Sequence, residues 1–266
     1  MEHQLDDQQC TSAVLELNIK DVLDYCWCPK YYELKNNNPN ERNLKEAYDI
    51  ALHKCFYQYL LALQNDTLEG LKTLKYRWGK EWIKQKTNSE IICTPSALKR
   101  DTYDAKRKAG IEAIITFDKL MKTPQYPIVI NKEYSIQITK DVILTGTWEY
   151  IREIEIDGRK IIQLMKFRTE NNRFQVLSQM NHDLELTAAA LAFSKMFNIN
   201  QAEFQLVYVD IYKKRMMSSY RTVKDFELLK ETVISVAKCI KGGIKCISPD
   251  KKCYHCEYRD DCSSSL

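Results

Sequence analysis

"LTGTWEYIREIEIDGRKIIQLMKFRT", Leu144 to Thr169, is the stretch that decides the fold. From Val142 to Ile156 the residues are β-branched, aromatic or alternately polar, in the manner of a strand. Asp157-Gly158 then interrupts them, and this dipeptide marks a tight hairpin turn because both residues tolerate positive φ. "RKIIQLMKF" (159–167) returns as the next strand. Upstream, "YPIVINKEYSIQI" (126–138) places Ile128, Ile130, Lys132, Tyr134, Ile136 and Ile138 on one parity. Three consecutive antiparallel strands are therefore expected, over 126–138, 142–156 and 159–167.

Outward from this meander the period changes to that of helices. Residues 18–35 read as a short helix capped by Asn18, with Ile19, Val22, Leu23 and Cys26 at helical spacing. Residues 41–65 are amphipathic through Leu44, Ala47, Ala51, Phe56, Leu60 and Leu61. Helices over 68–86 and 97–122 follow, separated at Thr94-Pro95-Ser96. Beyond the hairpin come a helix rich in Ala and Leu (178–197), a buried strand (202–212), a helix (224–241) and a tail of cysteines. The order predicts a mixed α/β fold on a central sheet, flanked by helices. It forms one domain over 1–266, with a helical elaboration at 36–125, a core at 126–241 and the tail at 242–266.

The 266 residues are 44% hydrophobic and 29% charged, the balance of a globular domain, and 7 glycines and 6 prolines exclude a collagenous or linker-rich chain. No run approaches the roughly eighteen apolar residues of a membrane span. "MEHQLDDQQC" at the start is acidic and polar, unlike a secretory leader, so an intracellular protein is expected. The Gly-poor, Lys-, Asn- and Ile-rich composition fits an AT-rich genome, such as that of a phage or mobile element. A net charge of +4 permits nucleic-acid binding without requiring it.

Ten cysteines without a leader argue against a disulfide framework. Cys10, Cys55, Cys93 and Cys239 are scattered and read as small buried hydrophobes. "CYHCEYRDDC" (253–262) is different. Cys253 and Cys256 form a chelating C-x2-C turn, and Cys262 adds a third thiolate. Three thiolates leave a tetrahedral zinc or an iron–sulfur cluster one ligand short. Cys28, Cys26, Cys246 and His255 are the candidates for the fourth. Cys28 precedes Pro29, which fixes the chain direction and removes a competing amide donor. Cys246 would close a purely local zinc site. Spacing alone does not choose between the metals.

"DVLDYCWCPKYYEL" resembles the N-terminal Cys-Pro motif of the iron–sulfur nucleases in the RecB-like branch of the PD-(D/E)XK superfamily, and "CYHCEYRDDC" resembles their C-terminal cysteine motif. The family includes the nuclease of CRISPR adaptation modules and the AddB nuclease domain. The resemblance covers nearly the whole chain. "AYDIALHKCF" resembles the helix bearing a site histidine, here His53; "NKEYSIQI" resembles the strand before the site; "NHDLELTAAALAF" resembles the helix after it. "LTGTWEYIREIEIDGRKIIQLMKFRT" resembles the hairpin that carries the site, with its Gly and Lys-x-x-Thr.

The resemblance implies a [4Fe-4S] cluster on Cys28, Cys253, Cys256 and Cys262, with Zn2+ as the alternative. It implies hydrolysis of phosphodiesters in DNA ends or single strands, with two carboxylates holding Mg2+ or Mn2+ and a lysine positioning water. Glu149 stands where the family has Asp, Lys166 is retained, and Leu164 occupies the place of the second carboxylate. Gln163 cannot replace it, because strand parity turns it to the opposite face. The usual helix Gln is Glu185, and the usual Tyr is Ala189. Two expectations follow. Either His53, Glu149, Glu185 and Lys166 form a rearranged metal site, or cleavage is lost and the fold serves as a subunit that binds DNA or a helicase or recombination partner.

Three stretches mix basic residues with aromatics, the pattern of phosphate contacts beside base stacking. Residues 71–86 contribute Lys75, Arg77 and Trp78; residues 98–110 contribute Lys99 and Arg100; residues 211–221 contribute Lys213, Lys214 and Arg215.

Overall fold

The computed structural model describes residues 13–38, 41–67, 70–88, 90–92, 103–122, 126–169, 182–200 and 203–245, with 253, 254, 256, 258, 259, 261 and 262 of the tail. In chain order the elements are β1 (Leu15–Asn18), α1 (Ile19–Trp27), α2 (Pro29–Asn37), β2 (Glu41–Asn43), α3 (Leu44–Gln64), α4 (Leu71–Asn88), β3 (Glu90–Ile92) and α5 (Tyr103–Met121). Then come β4 (Tyr126–Thr139), β5 (Val142–Ile156), β6 (Arg159–Arg168), α6 (Leu184–Phe197), β7 (Phe204–Asp210), β8 (Arg215–Ser219) and α7 (Val223–Lys241).

The expected meander β4–β5–β6 is present, and β5 is its spine. β4 pairs antiparallel with β5 from Tyr126↔Glu153 to Thr139↔Val142. β1 pairs parallel with β5 at Val142–Thr145, and β6 pairs antiparallel with it at Tyr150–Ile156. Both engage β5 residues already paired to β4, so β1 and β6 share the opposite edge of β5. Between them the edge from Gly146 to Glu149 carries no ladder. The sheet forks there. β7 lies parallel to β6, and β8 lies antiparallel to β7, completing a six-stranded mixed sheet. β2 and β3 form a separate two-stranded parallel sheet.

Apolar side chains on the two faces of the sheet make two cores. Leu144, Trp148, Ile151, Leu164 and Leu206 pack with α1, α6 and α7. Tyr150, Met165, Phe167 and Val207 pack with α3, α4 and α5. Trp148 and Ile151 thus face the same side, while Tyr150 faces the other. A strict two-residue alternation would put Trp148 and Tyr150 together, so the alternation slips at the fork. Across from it on β4, Asn131 has a φ of 45°. The slip frees the side chain of Glu149 from either core.

Several boundaries differ from the sequence reading. The helix expected over 18–35 divides at Cys28, which is extended (φ −166°, ψ 121°) because Pro29 at the first position of α2 disfavours helical backbone in the residue before it. Asn18 caps α1 as expected: its Oδ1 accepts from Lys20 N at 3.0 Å, and its own N–H donates to Asp21 at 3.3 Å. The helix expected from 178 begins at Leu184 behind the cap Asp183, with 178–181 outside the described residues. The described part of the helix expected over 97–122 starts at Tyr103, and the break at 94–96 lies outside the described residues. The strand expected over 202–212 ends at Asp210 and turns into β8. Leu61, expected in the core, is 46% exposed. Among the described residues no helix is long and apolar enough to cross a membrane.

Candidate functional site

The fork gathers polar side chains from three directions. Glu149 reaches across the unpaired edge and accepts the backbone N–H of Phe167 at 2.6 Å. The β5–β6 ladder stops at Tyr150↔Met165 although β6 runs on to Arg168, so the carboxylate stands where strand pairing has ended. Its Oε2 also lies 3.6 Å from Nε2 of His53 on α3. On its other side His53 Nδ1 is 2.9 Å from the carbonyl and 3.3 Å from the carboxylate of Asp49, one helical turn earlier. Thr169 donates to the same carboxylate. Burial opposes a charge on His53, but Glu149 and Asp49 outweigh it and hold the imidazole well above its usual range. Burial likewise opposes ionisation of Asp49, yet His53 and Thr169 bring its carboxyl down to about 2.

Lys166 extends from β6 toward the N-terminus of α6. Its ammonium is ion-paired with Glu185 and lies 3.3 Å from Asp183. Asp183 caps α6 by accepting the N–H of Leu186 at 2.8 Å. Burial works against the charge on Lys166, and Glu185, Asp183, Tyr208 and Glu149 more than offset it, raising the lysine well above its ordinary value. The first turn of α6 is braced by Arg221, which is buried. Its Nε donates to Thr187 Oγ1 at 2.6 Å and its Nη1 to Ser219 Oγ at 2.7 Å, while Nη2 lies 3.4 Å from the carbonyl of Asp183. Tyr134 on β4 completes the surround. It sits across from Gly146, where a Cβ would fall 2.3 Å from the phenol oxygen. The glycine therefore makes room for the ring, as aromatic–glycine strand pairs do.

The structure thus brings together Glu149 with His53, and Lys166 with Glu185. Leu164 is buried among Trp148, Leu186 and Ala189, and its side chain fills the core beneath α6. Gln163 is on the other face, bonded to Arg152 at 2.9 Å and Gln205 at 3.1 Å. A cavity of about 20 Å3 is lined by Glu149, Leu164, Lys166, Glu185 and Ala189. That volume suits about one water or one ion and no nucleotide. Among the described residues, at the fork or in the cysteine tail, no three His, Cys, Asp or Glu side chains stand together as the shell of a metal ion. Asp49, Asp183 and Arg221 were missed in the sequence. Asp49 could have been found from its i,i+4 spacing to His53, and Asp183 from its capping position two residues before Glu185.

The tail packs on the α1–α2 pair. Tyr258 is buried, with its ring centroid 5.6 Å from that of Tyr31. Lys245 pairs with Glu33 at 2.6 Å, and the hydroxyl of Tyr25 donates to the carbonyl of Ile244 at 2.6 Å. Along the sequence, Tyr25, Tyr31 and Glu33 lie on either side of Cys28. In the tail, backbone N–H groups of Cys256, Arg259 and Cys262 each bond to the carbonyl three residues earlier, beginning at Cys253, so three tight turns follow one another. His255 and Cys246 lie outside the described residues.

Of the residues expected on a nucleic-acid surface, Lys75 is exposed and Arg77 is half-buried on α4. Trp78 is not on that surface. It is 1% exposed, donates from Nε1 to the carbonyl of Arg107 at 2.9 Å, and lies on Gly110 of α5, where a Cβ would meet its ring at 2.0 Å. Trp82 is buried against it, the ring centroids 5.5 Å apart. Lys213 and Lys214 occupy the exposed turn between β7 and β8, and exposed Arg215 begins β8. Lys99 and Arg100 lie outside the described residues.

A search of curated proteins finds no match to this chain. Among solved structures, one titled "Crystal structure of SSO0001" superposes with a TM-score of 0.34 and 14% sequence identity, over 60% of this chain and 71% of that one, a likeness too slight to argue from. The family comparison reaches much further. Residues 19–263, from the start of α1 through the cysteine tail, match the family described as "PD-(D/E)XK nuclease superfamily". With the forked sheet, its lysine on β6 and its helix-borne carboxylates in view, this chain belongs to the PD-(D/E)XK nuclease superfamily.

Proposed function

We propose that the chain is a metal-dependent DNA nuclease of the RecB-like iron–sulfur branch, acting on single strands or DNA ends, in which one metal-binding carboxylate has moved from strand β6 to helix α6. The observation that carries this reading is the ion pair of Lys166 with Glu185. Where the strand offers only Leu164, the helix delivers a carboxylate to the retained lysine. The donor set is one of hard oxygens with an imidazole, suited to Mg2+ or Mn2+. Asp49, Glu149, Asp183 and Glu185 face the cations His53 and Lys166, with Lys20 also acting on Asp49, and the carboxylates still outnumber these cations.

In this reading Glu149 and Glu185 would hold the ion, and His53 would join them only as neutral imidazole, its ring proton displaced when the ion binds. When bound, it supplies Lewis acidity toward a phosphoryl oxygen and a water. The chain's own groups do the positioning. Asp49 fixes the ring of His53, and the N–H of Phe167 fixes Glu149. Arg221 and Asp183 hold the start of α6 so that Glu185 meets Lys166. Lys166 offers a cation to the phosphate, and Leu164 with Trp148 keeps the sheet side of the site dry.

For the cluster, the tail's docking on α1 and α2, which flank Cys28 in sequence, supports ligation of a [4Fe-4S] cluster by Cys28, Cys253, Cys256 and Cys262, Zn2+ being the alternative. Thiolates suit either metal. A cluster several atoms across asks for a wider arrangement of sulfurs than one ion does.

A second reading is favoured by Leu164. Its close packing removes one site carboxylate, as in a chain that keeps the fold to bind DNA or a helicase or recombination partner without cleaving. Incubation with single-stranded DNA and Mn2+ separates the two. The nuclease reading expects cleavage, lost by at least about a hundredfold in Lys166→Ala and Glu149→Ala. Binding without cleavage would establish the second reading.

A further inference from the structure

We propose that the groove between α3 and α4 seats single-stranded nucleic acid next to the fork; this rests on the nucleic-acid side of the function proposed above. The groove has a volume of about 410 Å3, enough for a nucleotide. Its α3 wall is Gln58, Leu61 and Ala62, and its α4 wall carries Arg77 and Lys80. Leu61 is 46% exposed although it lies on an otherwise core-forming helix. The one acid of the lining, Glu81, is itself buried and gives its carboxylate to Lys84 at 2.6 Å. The groove thus sets the cations Arg77 and Lys80 of α4 opposite Leu61 and Ala62 of α3, with Gln58, Asn65 and Thr67 as polar lining.

A second feature stands at its rim. Tyr76 is 62% exposed, and the ammonium of Lys80 lies 4.7 Å from its ring centroid. Of the three aromatics in 71–86, Trp78 and Trp82 face inward and Tyr76 alone is exposed. An exposed ring beside cations and an apolar surface matches what unpaired bases and their phosphates require. A duplex keeps its bases stacked inside and would not use the ring or the α3 wall.

The groove also lies near the site. Leu61 is eight residues beyond His53 on α3, about 12 Å along the helix axis. Tyr57, between them, has its ring centroid 5.9 Å from that of His53, and burial, with the charges of Glu149 and Asp49, raises its hydroxyl far above its usual range. At about 3.4 Å per stacked nucleotide, that distance is about four nucleotides. A strand whose phosphate lies beside His53 would extend into the groove only if it is longer than that.

The test is fluorescence anisotropy of the full chain in EDTA, with oligothymidylates of about four and about twelve nucleotides. The variants are Arg77→Ala/Lys80→Ala and, as a charge-matched control on α7, Lys224→Ala/Lys241→Ala. Expected is a loss of about tenfold for the longer oligomer in the groove variant alone, with the slope of log affinity against log salt reduced by about 1.4, or about 0.7 per phosphate contact. The tetramer, too short to span groove and fork together, should lose less than the longer oligomer. Equal binding of the longer oligomer by wild type and groove variant, an equal loss in the control, or no binding by wild type would each overturn the proposal. Because no divalent ion is present, a chain that binds in this way but never cleaves leaves the groove standing and removes the nuclease reading. A chain that cleaves while the groove variant binds normally removes the groove alone.

Discussion

At the residue scale the decisive position is 164. Leu164 is 2% exposed and touches the same cavity as Glu149 and Lys166. A carboxylate placed there would be buried beside two others. Leu164→Asp is therefore predicted to lose about 3 kcal/mol of stability in EDTA, through lost packing and an uncompensated charge. Mn2+ should return part of that loss, because an ion held between the introduced carboxylate and Glu149 would bind the folded state alone. Denaturant unfolding with and without Mn2+ checks both; a loss that Mn2+ leaves untouched would place the metal elsewhere. Glu149, Lys166 and Glu185 were singled out through the resemblance of 144–169 and 181–193 to the hairpin and helix of a nuclease site. Asp183 carried only the local signal of a cap, and Arg221 carried none, because its bracing of α6 exists only once the chain after β8 has been brought against that helix.

At the element scale, what could be read followed from local chemistry. The β4–β5–β6 meander announced itself through period-two patterning and Asp157-Gly158, whose φ values are 51° and 74° as a tight turn of this kind requires. β1 is four residues long and pairs with Val142–Thr145, far away in sequence, so no local signal marked it. In α4 the alternation of lysines with tryptophans reads as a surface, yet Trp78 and Trp82 are buried because α3 and α5 pack over that face. α7 shows how a cap adds to this framework. Asp225 accepts the N–H and the hydroxyl of Thr222, both at 2.7 Å. Slight burial opposes ionisation, but these bonds outweigh it and hold the carboxyl below its usual value. A group whose folded pKa is lowered stabilises above its unfolded value, about 4, and that contribution is lost as pH falls through the folded one. Asp225→Ala should thus cost about 1 kcal/mol at neutral pH. Thermal melts across pH should show the difference fading below about pH 4.

At the scale of the whole molecule, the tail lies against the helix pair that begins the domain, through Tyr258 on Tyr31 and Lys245 on Glu33. A cluster shared by Cys28 and the tail would close a loop of roughly 225 residues (253 less 28), restricting the unfolded chain by about 5 kcal/mol at most. Anaerobically purified protein should carry iron. Cys28→Ser should then destabilise as much as Cys256→Ser, whereas Cys28→Ser without effect would make the tail a local site. The same architecture sets the fork, since β1 and β6 divide one edge of β5 and leave Glu149 between them. If helix α6 has taken over a ligand from strand β6, Glu185 holds the metal. Mn2+ titration followed by electron paramagnetic resonance should then show one tight site in the wild type, weakened at least about tenfold in Glu185→Gln. Equal Mn2+ binding by the two proteins, or none by the wild type, would contradict it.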